Sequence, residues 1–481
     1  MDSRAHLDRR SILRLISSAG IAALGTTRSA KSFPLVQPNI VFIMLDDLGK
    51  EWVHCYGSEE TITPNVDRLA ASGMTFMHAY SMPLCVASRA TFITGQYPAR
   101  HGWINDWNVP LRGVGYLDPD YYPSVARVLR DAGYATAVAG KWHLNDFRDD
   151  PEVLYDFGFD EYCVWTGVES GNLDISSNRY WDPYIDTEIG SRVYPGEFSE
   201  DIFTRFIIRF LREEPQIPKF VYYPMCLPHF PPTTVPNNPI AGANLQSMTH
   251  YADFKSGQIL SALDRFGLRN ETIVFWTSDN GSPQGSRRRL NRRMVHGGKG
   301  TLGESGINVP FIANCPGLIP GGAVTGALID FTDLLPTFAD LAGAALPPHA
   351  RLDGKSFAGH LLGLEPDGPR QWIMAMGGER AVVSRFGRLV PARPYAPRAV
   401  RDKRYKLLVA EDRTSSWLVD LALPLSERGN LLGSTAITHQ MARARLERAA
   451  RTLPPRDAAP RYDPLPPQRA LSFRSSGSDR A

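Results

Sequence analysis

The stretch NIVFIMLDD spans residues 39–47. Its apolar run, NIVFIML (39–45), has no polar alternation, as expected of a strand buried on both faces of a parallel sheet. Two acids, Asp46 and Asp47, follow at the strand's carboxyl end. Ligands of open parallel sheets bind at that end. One short segment therefore fixes both the kind of fold and the edge on which its chemistry should lie.

Working outward, strand and helix patterns alternate. TPNVDRLAASG (63–73) reads as a helix, with Thr63 as N-cap, Pro64 in the first turn and Gly73 past its end. SVARVLRDAG (124–133) repeats the pattern between Ser124 and Gly133. YATAVAG (134–140), KFVYYPM (219–225) and ETIVFWTS (271–278) read as strands. Residues 198–214 and 247–266 read as helices, the first placing Phe203, Phe206, Ile207 and Phe210 on one face. This order implies an α/β fold with a large, mostly parallel sheet flanked by helices. After about residue 350 the pattern changes to short strands, WIMAM (372–376), RYKLLVA (404–410) and SWLVDL (416–421), and a helix near 435–452. These predict a small antiparallel sheet packed with one helix. The expected division is 1–31 as an export signal, 32–350 as the catalytic domain, 351–453 as the C-terminal subdomain and 454–481 as a disordered Arg/Pro-rich tail.

The polar residues beyond the strands are not ordinary turn residues. Asp46-Asp47, Lys141-Trp142-His143, His229 and Asp279-Asn280 each follow a different strand. The acids and the amide are hard oxygen ligands suited to Ca²⁺ or Mg²⁺ rather than zinc. A single Asp pair would read as a cap or a turn, but two pairs at two strand ends favour a metal. Alone, His143 or His229 would read as a core histidine. Placed just past strands, and in one case beside Lys141, both read better as acid/base groups.

Cys85 opens a helix within MPLCVASRATFITG (82–95), with Arg89 one turn further on. A helix N-terminus favours negative charge, so a thiolate nucleophile is conceivable there. A bare thiol among hard-metal ligands nevertheless has no evident purpose.

CVASRATFITG (85–95) resembles the type I sulfatase signature C-x-P-S-R followed by T-G. NIVFIMLDDLG (39–49), TPNVDRLAASGMTF (63–76), GQYPARHG (95–102), GYATAVAGKWHL (133–144), TIVFWTSDNG (272–281) and GGKGTLGESGINVPFIANCPG (297–317) are similar to sulfatase blocks in the same order. RYKLL (404–408) and WLVDLALPLSERGNLL (417–432) resemble the family's C-terminal sheet. The likeness covers about residues 38–435 and implies an alkaline-phosphatase-like fold. It also implies that Cys85 is oxidised by a formylglycine-generating enzyme to an aldehyde whose hydrate attacks sulfur. By the same resemblance Asp46, Asp47, Asp279, Asn280 and the modified Cys85 hold Ca²⁺, with Mg²⁺ as the substitute. Arg89 and Lys141 hold the hydrate, Lys299 neutralises sulfate oxygens, His229 protonates the leaving oxygen and His143 serves elimination. The sequence departs from the pattern at Ala87, where Pro is usual, and at Ser305 and Asn308, where Gly and Arg are usual.

Charge narrows the partners. The formal net charge is +3. Residues 1–31 carry +4, residues 441–481 carry +5, and the body between them −6. That balance excludes a strongly basic nucleic-acid binder. The start, with Arg9-Arg10 before a short, weakly apolar run, reads as a twin-arginine export signal, placing the mature protein in the periplasm or outside the cell. No run is long enough for stable membrane insertion. Five cysteines leave four besides Cys85, either paired or free. RRRLNRR (287–293) supplies Arg287, Arg288, Arg289, Arg292 and Arg293 between Asp279-Asn280 and Lys299. It reads either as a polyanion-binding rim for a sulfated glycan or as a solvated loop. Trp103, Trp107, Trp142 and Trp165 are candidate sugar platforms, though packing is the commoner role for such residues. A phosphodiester or phosphonate monoester hydrolase, or a non-catalytic glycan binder of the same fold, are the competing readings.

Overall fold

A computed structural model describes residues 37–104, 117–145, 147, 150–165, 178–377, 381–383, 389–391, 393–422, 427 and 429–459. The expected export signal and Trp107 lie outside these residues. The main sheet comprises β1 (Asn39–Leu45), β2 (Met74–Tyr80), β3 (Ala135–Lys141), β4 (Glu161–Trp165), β5 (Tyr184–Thr187), β6 (Arg192–Val193), β7 (Lys219–Pro224) and β8 (Thr272–Ser278). A separate hairpin, β9 (Arg287–Leu290) and β10 (Arg293–His296), precedes its last two strands, β11 (Asn308–Asn314) and β12 (Ala323–Asp330). The ten-stranded order is β12-β2-β11-β8-β1-β7-β3-β4-β5-β6. The central run β8-β1-β7-β3-β4 is parallel throughout, and antiparallel pairings flank it.

β1 lies between β7 and β8 and is buried along its whole length, which is why its sequence does not alternate. Its residues still divide by side. Val41, Ile43 and Leu45 join a core with Phe203, Ile207 and Phe210 of the helix Ser199–Arg212 and with Met248 and Ile259 of the helix Leu245–Arg265. Phe42 faces the other way, against Phe92 of the helix Cys85–Thr94 at 4.4 Å and Phe338 of the helix Leu334–Ala342 at 5.8 Å. Removing a ring from such a cluster costs about 3–5 kcal/mol.

Not every local signal acts as expected. Thr63 precedes the helix Pro64–Ala71 but makes no side-chain cap. Asp253, from the helix Leu245–Arg265, instead accepts from the backbone NH groups of Asn65 and Val66. A cap supplied from distant sequence satisfies the same unpaired donors and locks two helices together.

The C-terminal sheet contains β13 (Ile373–Met376), a small hairpin of β14 (Ala381–Val383) and β15 (Leu389–Pro391), then β16 (Arg398–Arg401), β17 (Tyr405–Val409) and β18 (Ser415–Asp420). Four of these pair antiparallel in the order β13-β16-β17-β18, packed with the helix Ile437–Arg451. Residues 454–459, assigned to the expected disordered tail, are packed against the fold. Asp457 accepts two hydrogen bonds from the buried Arg398 guanidinium, and the backbone NH of Ala458 bonds to Ala99 O at 3.0 Å. Residues 460–481 lie outside the described part.

The side chains of Arg398 and Asp457 are both 0 % exposed. Removing one partner leaves a buried, unbalanced charge, typically at a cost of about 3–5 kcal/mol. D457A should therefore lower the free energy of unfolding by that order, measured by chemical denaturation. A loss within the scatter of surface substitutions would show that the tail does not anchor the second sheet.

Candidate active site

The four adjacent parallel strands β8, β1, β7 and β3 end on one edge of the sheet. They deliver, in that order, Asp279-Asn280, Asp46-Asp47, the loop to His229, and Lys141 with His143. The polar groups read from the sequence therefore converge because the strands that carry them are neighbours. Backbone bonds hold their ends level, with Asp279 N to Leu45 O at 3.0 Å and Asp46 N to Leu227 O at 2.8 Å. Asp47 and His143 have positive φ, 66° and 64°. Such a conformation is uncommon for non-glycine residues and collects at functional sites.

The helix Cys85–Thr94 brings Cys85 to this edge from above, with every residue of the helix buried. Ser88 fixes its approach. The Ser88 hydroxyl donates to Asp279 O at 2.5 Å and accepts from Met82 N at 3.0 Å. The Cys85 thiol donates to Asp46 Oδ1 at 3.3 Å, with Asp47 Oδ1 at 3.7 Å. Burial, followed by the carboxylates of Asp279 and Asp46, pushes the thiol well above its usual range. The thiolate considered from helix geometry is thus disfavoured, chiefly because the thiol is buried and then because of the carboxylates beside it.

Cations surround the acids. Lys141 Nζ is 2.7 Å from Asp46 Oδ2, Lys299 Nζ is 2.6 Å from Asp47 Oδ2, and Arg89 Nη2 is 2.8 Å from Asp279 Oδ2. Burial alone would raise Asp46, but Lys141, His229, Arg89 and Lys299 together hold it well below the usual carboxylate range. Asp279 goes the other way, to about 7, through burial and then repulsion by Asp46. Burial opposes the charge on Lys299, yet Cys85, Asp47 and Asp46 raise its pKa overall. Burial, followed by Lys141 and Arg89, holds His143 well below its ordinary value. His229 falls to about 4, chiefly through burial. Both imidazoles are therefore neutral at pH 7.

Ligand atoms of Asp46, Asp47, Cys85 and His229 lie within 4.8 Å of one another. Asp279 and Asn280 join them, with Asp47 N donating to Asp279 Oδ1 at 3.1 Å and Asn280 Nδ2 donating to Asp47 Oδ1 at 2.7 Å. Asn280 Oδ1 is buried and accepts from no donor. Crowded carboxylates beside an idle carbonyl oxygen fit a hard divalent cation. His229 fits that role poorly, since its Nε2 lies 3.3 Å from the Lys299 ammonium.

The other candidates separate from this cluster. Residues 287–293 form an ordered hairpin, not a loose loop. Arg288 sits 4.2 Å from the Trp52 ring centroid and 3.4 Å from Glu60. Arg287, Arg289, Arg292 and Arg293 remain exposed. The hairpin base closes through Gly297 N to Ser286 O, on the loop whose Lys299 N bonds to Ser282 O. Trp103 and Trp142 are core residues, the latter packed on Phe157 and Phe159. Trp165 is buried beneath Arg179. All five cysteines are free thiols. Asn308 stands where the resemblance expects Arg, and Lys50 Nζ donates to its Oδ1 at 2.6 Å. Arg401 and Lys406 bring the positive charge to Glu304 instead. Two residues escaped the sequence reading: Ser88, and Arg179, which contacts His229 and carries no motif.

Buried acids, compensating cations and two neutral histidines around a helix-borne Cys85 define a hydrolase of anionic esters. The sulfatase family model matches residues 38–344. The chain is 31% identical to an N-acetylgalactosamine-6-sulfatase of Canis lupus familiaris over 378 residues, covering 73% of this chain and 70% of the relative. It is 32% identical to arylsulfatase A of Homo sapiens over 377 residues, covering 69% of each. The solved structure of Ps i-CgsB shares its fold with a TM-score of 0.71 at 23% identity, covering 92% of this chain and 98% of that one. BT4656, solved with its substrate D-glucosamine-2-N,6-O-disulfate, gives a TM-score of 0.67 at 20% identity, covering 87% and 98%. The chain belongs to the sulfatase family and is a sulfuric ester hydrolase.

If a divalent cation fills this cluster, it stabilises the fold by mass action. Calcium in excess should raise the melting temperature of chelator-treated protein, and D47A should abolish the rise. Equal melting with and without calcium in the unsubstituted protein would reject the site.

Proposed function

We propose that this chain hydrolyses sulfate monoesters on sulfated carbohydrates, using a formylglycine made from Cys85 and a bound Ca²⁺. The observation that carries the reading is the meeting of Cys85 with Asp46, Asp47, Lys141 and Lys299 at adjoining strand ends. The family relation and the relatives that act on sulfated sugars support it. Asp46, Asp47, Asp279 and Asn280 would hold the ion. With the ion bound there, the formylglycine hydrate at position 85 would supply the hydroxyl nucleophile and Ca²⁺ would neutralise sulfate charge.

The chain's own residues supply the rest. Lys141 and Arg89 flank position 85 and oppose charge developing there. Lys299, kept protonated by its acids, faces the equatorial sulfate oxygens as a compact point charge. His229, itself neutral, would protonate the leaving oxygen together with the Lys299 ammonium 3.3 Å from its Nε2, which supplies the proton. His143, also neutral, accepts a proton when sulfate is expelled. The exposed arginines of the β9–β10 hairpin would draw a polyanionic chain toward the edge that carries Lys299. A formylglycine-generating enzyme is the required partner and must accept Ala87 in its recognition motif. Export through residues 1–31, to the periplasm or beyond, belongs to the same proposal. None of the described helices is long and apolar enough to cross a membrane.

Mass spectrometry of the peptide covering residues 82–89, from protein made in its native host, should find the aldehyde in place of the thiol. An unmodified Cys85 in active enzyme would overturn the formylglycine reading. Replacing Arg287, Arg289, Arg292 and Arg293 with glutamine should raise KM on a sulfated polysaccharide by about tenfold, with kcat/KM on 4-nitrophenyl sulfate little affected. An equal loss on both esters would remove the hairpin from substrate recognition.

A further inference from the structure

Lys141, Lys299 and Arg89 each have a carboxylate beside them. Among the described residues Arg179 pairs with none. It is half-buried, and its guanidinium lies over two buried rings, 5.2 Å from the Trp165 centroid and 5.5 Å from that of Tyr180. The rings fix its position and leave its five N–H donors to find acceptors elsewhere. Its Nη2 reaches Phe230 O at a long 3.4 Å, and its Nη1 lies 2.8 Å from His229 Nδ1. That nitrogen is also 2.5 Å from Phe230 O, while Lys299 Nζ is 3.3 Å from Nε2 on the far side of the ring. A carbonyl cannot donate and an ammonium cannot accept, so both contacts favour the imidazole proton on Nδ1. The guanidinium N–H facing Nδ1 then finds no lone pair. Arg179 is thus a cation held in place near Lys141, with neither a counter-charge nor a good acceptor. Next to it the Phe230 side chain is 59 % exposed, and its open face packs on nothing.

We infer that Arg179 and Phe230 form the subsite for the leaving sugar, where Arg179 pairs with a second oxyanion of the substrate, a carboxylate or a further sulfate. The substrate class is then a glycan unit with two negative groups close together, not a neutral sugar bearing one sulfate. The inference rests on the reading of this site as a carbohydrate sulfatase whose leaving oxygen lies at His229. Lys299 stands on the Nε2 side of that imidazole and Arg179 on the Nδ1 side. One sugar and its linkage can bridge such a separation, with the scissile ester at one end and the second anion at the other. The planar guanidinium matches two oxygens of a carboxylate or sulfate, a stronger partner than the distant carbonyl. The Phe230 ring would take the apolar face of the same sugar. The exposed arginines of the β9–β10 hairpin act on a polyanion at a distance. Arg179, fixed between rings, reads one group in one place.

The wild-type holoenzyme and the variants R179M, R179K and F230A are assayed on a panel of sulfated sugars that differ in the position of the ester. Each sugar is offered with one sulfate, with a second sulfate on an adjacent carbon, and linked to a uronate whose carboxyl is free or reduced to the alcohol. The wild type should prefer the doubly charged member of one set by about tenfold in kcat/KM, mostly through KM. The set in which this occurs tells carboxylate from sulfate. R179M should remove the preference, and R179K should keep part of it, since an ammonium offers the charge without the fork. F230A should lower kcat/KM on every sugar of the set and leave the ratio in place. Any disturbance of His229 falls on both members alike and cancels in the ratio. Sugar turnover with no charge preference, a preference that R179M leaves intact, or an F230A enzyme equal to wild type on every sugar would overturn the inference while the proposed activity stands. Hydrolysis of 4-nitrophenyl sulfate without turnover of any sugar would defeat the carbohydrate reading and the inference with it.

Discussion

The site depends on a balance of buried charge. Asp46, Asp47 and Asp279 stand at the ends of two neighbouring strands, each shielded from water. Three carboxylates so close cannot all stay ionised in a low-dielectric interior without compensation. Lys141, Lys299 and Arg89 provide part of it, one cation beside each acid. Asp279 still rises to about 7 through burial and the neighbouring acids. That residual strain is a preference for more positive charge, which the proposed divalent ion would meet. The cations that pair with the acids are the same groups proposed to meet a sulfate.

Much of this was legible in the sequence because it is carried by local signals. An unbroken apolar run forecasts a strand with neighbours on both sides, and β1 has them. The polar residues after four strands pointed to one edge, since parallel strands present their carboxyl ends together. The resemblance of the Cys85 segment to a sulfatase motif then gave those residues a common purpose.

What stayed hidden depends on contacts far apart in sequence. Thr63 looks like a cap, but the cap is Asp253. RAVR (398–401) reads as polar, yet it is a buried strand whose Arg398 is neutralised by Asp457. The arginine run gives no hint that Arg288 would be spent on Trp52 and Glu60 while its neighbours stay exposed. Arg179 lies in no periodic pattern, and only the folded loop brings it to His229.

The cluster at Glu304 has a consequence for modularity. Its carboxylate receives Tyr80 from the main sheet and both Arg401 and Lys406 from the C-terminal one. Glu304 begins the short helix Glu304–Ile307, five residues after Lys299, and Lys406 also bonds to Leu302 O in the intervening loop. The smaller sheet is therefore not a detachable appendage. Cutting the chain between the sheets would strand a partly buried carboxylate and release the loop that carries Lys299. The two parts must be inherited, expressed and engineered as one unit.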